Sequence, residues 1–144
     1  MDLCDKRPVA YANSDRNDNS LVLTTFEKAI KRNPKASPIL HSDRGCQYTS
    51  KEFRKKIVTA GMTRSMSRVA HCIDNGPMEG FWGIMKRKMY YGHQFRTKEE
   101  LLIMIKGYMI CYSTKRVQRN LKIMPPMEYH KMISPQTSAR SELE

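Results

Sequence analysis

Asp43 and Glu79 are the two residues of this sequence whose type and spacing point to chemistry. Asp43 follows the apolar-led run Ile39-Leu40-His41-Ser42, which reads as a brief strand. Its carboxylate therefore falls where a strand gives way to a loop, the place at which open α/β sheets hold their ligands. Glu79 falls in the first turns of a helix expected from about Pro77, a residue suited to a first helical turn. The 35 residues between the two acids are enough for a helix, a strand and a loop to fold back and bring them together. A carboxylate pair at a strand end and a helix suits Mg²⁺, which takes oxygen ligands and keeps positions open for phosphate and water. Taken alone, the pattern fits a turn aspartate and a solvated helix-start acid better.

The elements that must position this pair follow from periodicity. Residues 7–13 read as a short strand, with Pro8 placing it at an edge or a strand start. A helix over 20–31 carries Val22, Phe26, Ala29 and Ile30 on one face, and Pro34 and Pro38 close it. After the strand at 39–42 and a polar loop over 44–49, a helix starts at Ser50, carries Phe53, Ile57 and Val58 at helical spacing with residues 51–56 mostly facing solvent, and stops at Gly61. Residues 63–67 give a further strand and 69–76 a loop. In the helix that follows, Met78, Trp82, Met85 and Met89 form an apolar stripe expected to be core, with Glu79, Gly83, Lys86 and Tyr90 beside it. A capping box at Thr97-Lys98-Glu99-Glu100 opens a last helix burying Leu101, Leu102, Ile105, Tyr108 and Met109. Strands alternating with helices specify an α/β protein with a mixed sheet.

Composition restricts the partner. The 144 residues carry a formal charge of +12, and the segment 86–122 holds ten Lys and Arg against Glu99 and Glu100 alone, so +8 of that charge lies there. A surface of this kind attracts a polyanion, with nucleic acid favoured over a merely solvated basic face. Cys4, Cys46, Cys72 and Cys111 form no C-x-x-C pair and read as reduced thiols. No run approaches the ~18 apolar residues of a membrane span, and the charged N-terminus is unlike a signal peptide, so a cytoplasmic protein is expected.

The words around the two acids are more specific. His41-Ser42-Asp43-Arg44-Gly45-Cys46-Gln47-Tyr48-Thr49-Ser50, then Ser65-Met66-Ser67, then Asp74-Asn75-Gly76-Pro77-Met78-Glu79-Gly80-Phe81-Trp82-Gly83 with Lys86, resemble transposases of bacterial insertion sequences in the retroviral-integrase superfamily. Tyr112-Ser113-Thr114-Lys115-Arg116-Val117-Gln118-Arg119-Asn120-Leu121 and Pro126-Met127-Glu128-Tyr129 resemble that family's C-terminal signature, and Asp2-Leu3-Cys4-Asp5-Lys6-Arg7 its segment before the third strand. The resemblance covers residues 1–132 as a catalytic core and leaves 133–144 as a loose tail.

The resemblance implies a ribonuclease-H-like fold and a triad of two Asp and one Glu, with Asp43 and Glu79 matching the second Asp and the Glu. It implies two Mg²⁺ or Mn²⁺ ions, ~3.5–4 Å apart in such sites, supporting nicking and joining at DNA phosphorus. It places Lys86 on DNA, and implies transposon ends and target DNA as partners, with a homo-oligomer assembled on them in a bacterial cytoplasm. The family's first Asp lies on a strand upstream of the segment matched by Asp2 to Arg7. The chain is therefore expected to lack that strand and its carboxylate, giving an impaired enzyme or a silent remnant that at most binds DNA. Lys88 stands where the family often has an acid, and Ser113 where it often has Asn. Among other candidates, His41 would orient Asp43, contact DNA, or serve as an ordinary hydrogen-bonded histidine. Gln47 would touch a base or phosphate, whereas Tyr48 would pack in the loop. Asp74 and Asn75 would cap the helix of Glu79, with support of a metal ligand as the lesser alternative. Arg116, Gln118 and Arg119 suit the DNA backbone.

Overall fold

The structure, a computed structural model, describes residues 1–69 and 72–134. They form two compact units, one of residues 9–84 and one of residues 1–8 with 85 onward. The tail from residue 135 lies outside the described residues.

The unit of residues 9–84 opens with α1 (Asn19–Arg32), whose N-cap Asp18 accepts a hydrogen bond from the Leu21 N–H at 3.1 Å, satisfying one orphan donor of the first turn. β1 (Ile39–Ser42) pairs in parallel with β2 (Thr63–Met66), Ile39 opposite Thr63 and Ser42 opposite Met66. The crossover between them carries α2 (Cys46–Thr49) and α3 (Lys51–Thr59). Ser50 caps α3 by accepting from the Phe53 N–H, and Gly61, at φ +66°, supplies the left-handed residue that ends it. A helix must cover the strand pair because a parallel pair buries its apolar side chains under its crossover. Phe26, Phe53 and Ile57 form that core, with Leu40, Tyr48, Val22 and Ile30 packed against it. The Phe53 ring meets Phe26 at 5.3 Å and Tyr48 at 5.5 Å, both edge to face, as ring quadrupoles favour. Each buried Phe contributes on the order of 1.5–3 kcal/mol, so Phe53→Ala is expected to be strongly destabilising.

Three expectations are corrected in this unit. Residues 7–13 form no strand: the Arg7 carbonyl accepts from Asp2 N–H, that of Val9 accepts from the Arg32 side chain, and Pro8 has no N–H to give a ladder. Val58 is 70% exposed, one helical step off the face that carries Phe53 and Ile57. The polar loop 44–49 contains the short helix α2.

The 3₁₀ turn Cys72–Asn75 leads into α4 (Gly76–Met85), which continues as a π-helical turn, Lys86–Tyr90. The Met78-Trp82-Met85-Met89 stripe is not the buried face as a whole. Trp82 is 40% exposed, whereas Phe81 and Met85 are buried. Almost every position from Phe81 to Met85 is apolar, so period alone does not select a face, and the π turn shifts Met89 off the 3.6-residue repeat.

In the other unit, α5 (Lys98–Thr114) begins with the expected box: Thr97 accepts from the Glu100 N–H at 3.2 Å, and the Glu100 carboxylate reaches back to Arg96 N–H at 2.8 Å. Burial concentrates at Tyr108, Met109 and Tyr112, while Leu101, Leu102 and Ile105 are half-buried. A tight turn over 118–124, with a 3₁₀ segment at Arg119–Leu121, leads to α6 (Pro126–Ile133), which packs on α5 and which periodicity alone did not reveal. Residues 1–8 are tied to α6 by the buried Asp5, whose Oδ2 accepts from His130 Nδ1 at 2.7 Å. Cys4, Cys46 and Cys111 are free thiols.

Candidate active site

The parallel pairing of β1 and β2 fixes where Asp43 stands. The ladder runs one step past the strands, with Ser67 N–H donating to the Ser42 carbonyl at 2.9 Å, and Asp43 is the next residue of the first strand's chain. It is exposed at the carboxyl ends of two parallel strands, where backbone no longer pairs and side chains meet solvent. One carboxylate oxygen accepts from the Gly45 N–H at 2.9 Å, a local turn that fixes the side chain. The other has no protein partner among the described residues. A Cβ placed on Gly45 would lie 3.1 Å from the bonded oxygen, so the glycine keeps space for this carboxylate.

The neighbouring side chains brace the same corner. His41 presents Nδ1 to Ser65 Oγ at 3.0 Å and Nε2 to Ser67 Oγ at 3.2 Å, so both ring nitrogens are engaged by hydroxyls of the second strand and its continuation. Arg44 Nε donates to the Ser67 carbonyl at 2.9 Å. Ser67 is buried and thus joins Ser42, His41 and Arg44 across the strand pair. Gln47 donates through its amide to the Asn17 backbone carbonyl at 3.1 Å and ties α2 to the start of α1. Tyr48, expected to pack in the loop, packs against the core of Phe26, Phe53 and Ile57, and its hydroxyl pKa is raised by burial first and then by the nearby Asp43 charge.

Glu79 is the fourth residue of α4, exposed, with no ion pair or hydrogen bond among the described residues. It belongs to the same compact unit as Asp43. Upstream of it, Asp74 receives Arg68 through its Nε at 3.0 Å and its terminal nitrogen at 2.9 Å, a bidentate pair that also takes the Arg68 N–H. That hydrogen bonding, more than charge alone, raises the pKa of Arg68. The expectation that Asp74 serves the helix start is thereby joined by an ion pair that periodicity did not indicate.

Lys86 opens the π turn and is exposed, in the second unit. In that unit Arg119 is exposed and Arg116 half-buried. Gln118 anchors the 118–124 turn through its backbone, and its side-chain nitrogen is buried with no hydrogen-bond partner among the described residues.

The donor chemistry suits a hard divalent cation in part. Asp43 and Glu79 offer carboxylate oxygens that no protein cation neutralises among the described residues. Those residues include no cluster of three or more His, Cys, Asp or Glu placed to hold a metal, so a third ligand has no counterpart there. No helix among them is long and apolar enough to cross a membrane.

Comparisons with known proteins bear on the family and the fold. Residues 1–72 match one family model described as integrase core domain, and residues 79–133 match a second with the same description. The chain is 32% identical over 130 residues to the InsK protein of insertion sequence element IS150 in Escherichia coli, covering 90% of this chain and 46% of that protein. It is 32% identical over 133 residues to the transposase for insertion sequence element IS904 of Lactococcus lactis, covering 91% of this chain and 53% of the other. The chain thus spans about half the length of the curated relatives it matches. A solved simian T-cell lymphotropic virus intasome, in complex with a PP2A regulatory subunit, superposes with a TM-score of 0.68 at 18% identity, over 92% of this chain and 46% of that one. That likeness shows the fold alone.

Proposed function

The chain belongs to the integrase core family of insertion-sequence transposases, with its ribonuclease-H-like α/β fold, and on that premise we propose that it performs metal-dependent phosphoryl transfer on DNA. Asp43 and Glu79 would hold the divalent ion, Mg²⁺ or Mn²⁺. The observation that carries the proposal is the placement of Asp43: it stands past the paired ends of β1 and β2, one oxygen fixed by Gly45 and the other without a protein partner.

When bound, the metal supplies charge stabilisation at the phosphorus and a more acidic attacking oxygen. The chain's own residues hold the geometry. Gly45 N–H fixes the Asp43 rotamer, and the Ser67-centred bonds to His41 and Arg44 keep the strand ends from shifting under load. Glu79 presents its carboxylate from a helix, an element stiffer than a loop. Lys86, Arg116 and Arg119 would neutralise DNA phosphates, fixing the duplex without reading its sequence. His41, with both nitrogens engaged, would act as a positioning residue for the loop of Asp43. Gln47 and Gln118 enter as supports of that loop and of the 118–124 turn, with DNA contact a further part of the same reading. Transposon ends and target DNA are the substrates this reading implies, handled by a homo-oligomer.

A second reading has a specific observation in its favour: with no third carboxylate assembled among the described residues, this polypeptide would bind DNA without turnover. Nicking of supercoiled plasmid by the full chain in Mg²⁺, with chelator and with Glu79→Gln as controls, separates the two. Nicks that vanish in both controls support the enzyme. Salt-sensitive binding with no nicks supports the silent binder.

A further inference from the structure

The loop between the π turn and α5 gathers aromatic rings beside cations at the surface. Tyr90 and Phe95 are stacked, centroids 5.9 Å apart with planes 24° apart, and His93 stacks on Phe95 at 6.3 Å and 19°. Tyr91 stands edge-on to Tyr90 at 6.0 Å. Gly92, at φ +85°, adopts the left-handed backbone that lets the chain reverse between Tyr91 and His93. A cavity of about 610 Å³ is lined by these rings together with Arg96 and Lys98.

Rings assembled only for packing would be withdrawn from water, yet Tyr90 is 49% and Tyr91 63% exposed. Residues 80–98 contain five Lys and Arg and no acid, so the rings sit in a stretch of purely positive charge. The side chains of Arg87, Lys88 and Arg96 form no ion pair among the described residues, although the Arg96 backbone N–H donates to the Glu100 carboxylate. Bare tyrosines attract planar apolar faces, and the cations attract a polyanion. One ligand class meets both demands: a nucleic-acid strand whose bases are unpaired, its bases on the rings and its phosphates on the cations. A fully paired duplex satisfies only the cations, because its base faces are already stacked on one another.

We propose that the Tyr90, Tyr91, His93 and Phe95 platform binds unpaired bases of single-stranded DNA. The inference rests on the DNA-handling reading above and is independent of Asp43 and Glu79.

The test is fluorescence anisotropy of the full chain with a labelled oligothymidylate of about 12 nucleotides and with a blunt duplex of equal length, the two compared at matched salt across a salt series. Wild type is expected to bind the single strand more tightly than the duplex. Tyr91→Ala and Tyr90→Ala each weaken the single-strand complex by about 5- to 100-fold per stacked base and leave the duplex within about twofold. Tyr91→Phe, which keeps the ring, retains single-strand binding, and this separates loss of stacking from loss of folding. Lys88→Ala weakens both complexes and flattens their salt dependence. The proposal is overturned if the Tyr90→Ala, Tyr91→Ala double variant binds oligothymidylate as wild type does, or if both complexes weaken equally in it. Failure of wild type to bind either DNA overturns the DNA-handling reading itself.

Discussion

Asp5 Oδ2 accepts a 2.7 Å hydrogen bond from His130 Nδ1, joining residues 125 positions apart. Asp5 is buried, and its other oxygen accepts from the Arg7 N–H at 2.8 Å, with the Arg7 side chain 3.6 Å away. A buried carboxylate held by two donors and a nearby cation tolerates loss of a partner poorly, because the remaining charge has no solvent to turn to. His130→Ala, which leaves the buried Asp5 carboxylate without its shortest partner, should cost about 3 kcal/mol in urea unfolding, and Asp5→Ala, which removes the buried charge itself, no more than that. The double-mutant cycle should give a coupling of about 1–3 kcal/mol. Additive effects would show that the bond contributes nothing.

Tyr48 gives the pH dependence. Its pKa in the folded chain is raised above the ordinary 10.0, by burial and then by Asp43. The folded state therefore keeps a proton that the unfolded state has lost. Stability is insensitive to this group below about pH 10 and falls as pH rises from the unfolded towards the folded value. Tyr48→Phe should lessen the alkaline loss, as seen in thermal melts. Tyr108, also raised by burial first, should leave a residual slope. An unchanged alkaline profile in Tyr48→Phe would remove Tyr48 from the account.

Gly45→Ala isolates the position of the Asp43 carboxylate. Gly45 has φ −54°, which alanine adopts without strain, but the new Cβ would lie 3.1 Å from the Asp43 oxygen. Thermal stability should change by less than about 1 kcal/mol, while Mn²⁺ affinity falls several-fold as the carboxylate is displaced. Unaltered Mn²⁺ binding would mean that the turn does not set the carboxylate's position.

Much of this architecture is legible in the sequence, and the remainder fails for identifiable reasons. α1, β1, α3 and β2 follow from Phe26, Phe53 and Ile57 at helical spacing, from Ser50 as a cap and from Gly61 as a stop. The position of Asp43 just past the end of β1 follows from the same local rules. The stripe puts Trp82 inside where the structure has Phe81, because a helix apolar nearly all round does not state its buried face. The Ser65 and Ser67 bonds to His41 depend on strand register, and Asp5 with His130 on the packing of chain segments far apart. No local period encodes either. α6 carries a weak signal, Pro126 in its first turn, that its short length obscures.

The turn over 118–124 places Lys122 at φ 53° and Ile123 at φ 61°. A β-branched residue in the left-handed region is strained by roughly 1–3 kcal/mol, and Ile123, 71% exposed, recovers little by burial. Ile123→Gly should raise the melting temperature despite the greater freedom of glycine in the unfolded chain. A lowered one would show that this side chain contributes contacts that outweigh its strain.

The central claim is that Asp43 and Glu79 hold one divalent-metal site. Its most direct test is Mn²⁺ titration of the full chain, read from the electron paramagnetic resonance of the free ion, for wild type, Asp43→Asn, Glu79→Gln and the double variant. A shared site predicts that each single change weakens binding by about tenfold or more and that the double variant is little worse than either. Wild-type affinity in Glu79→Gln, or strictly additive losses, would contradict it.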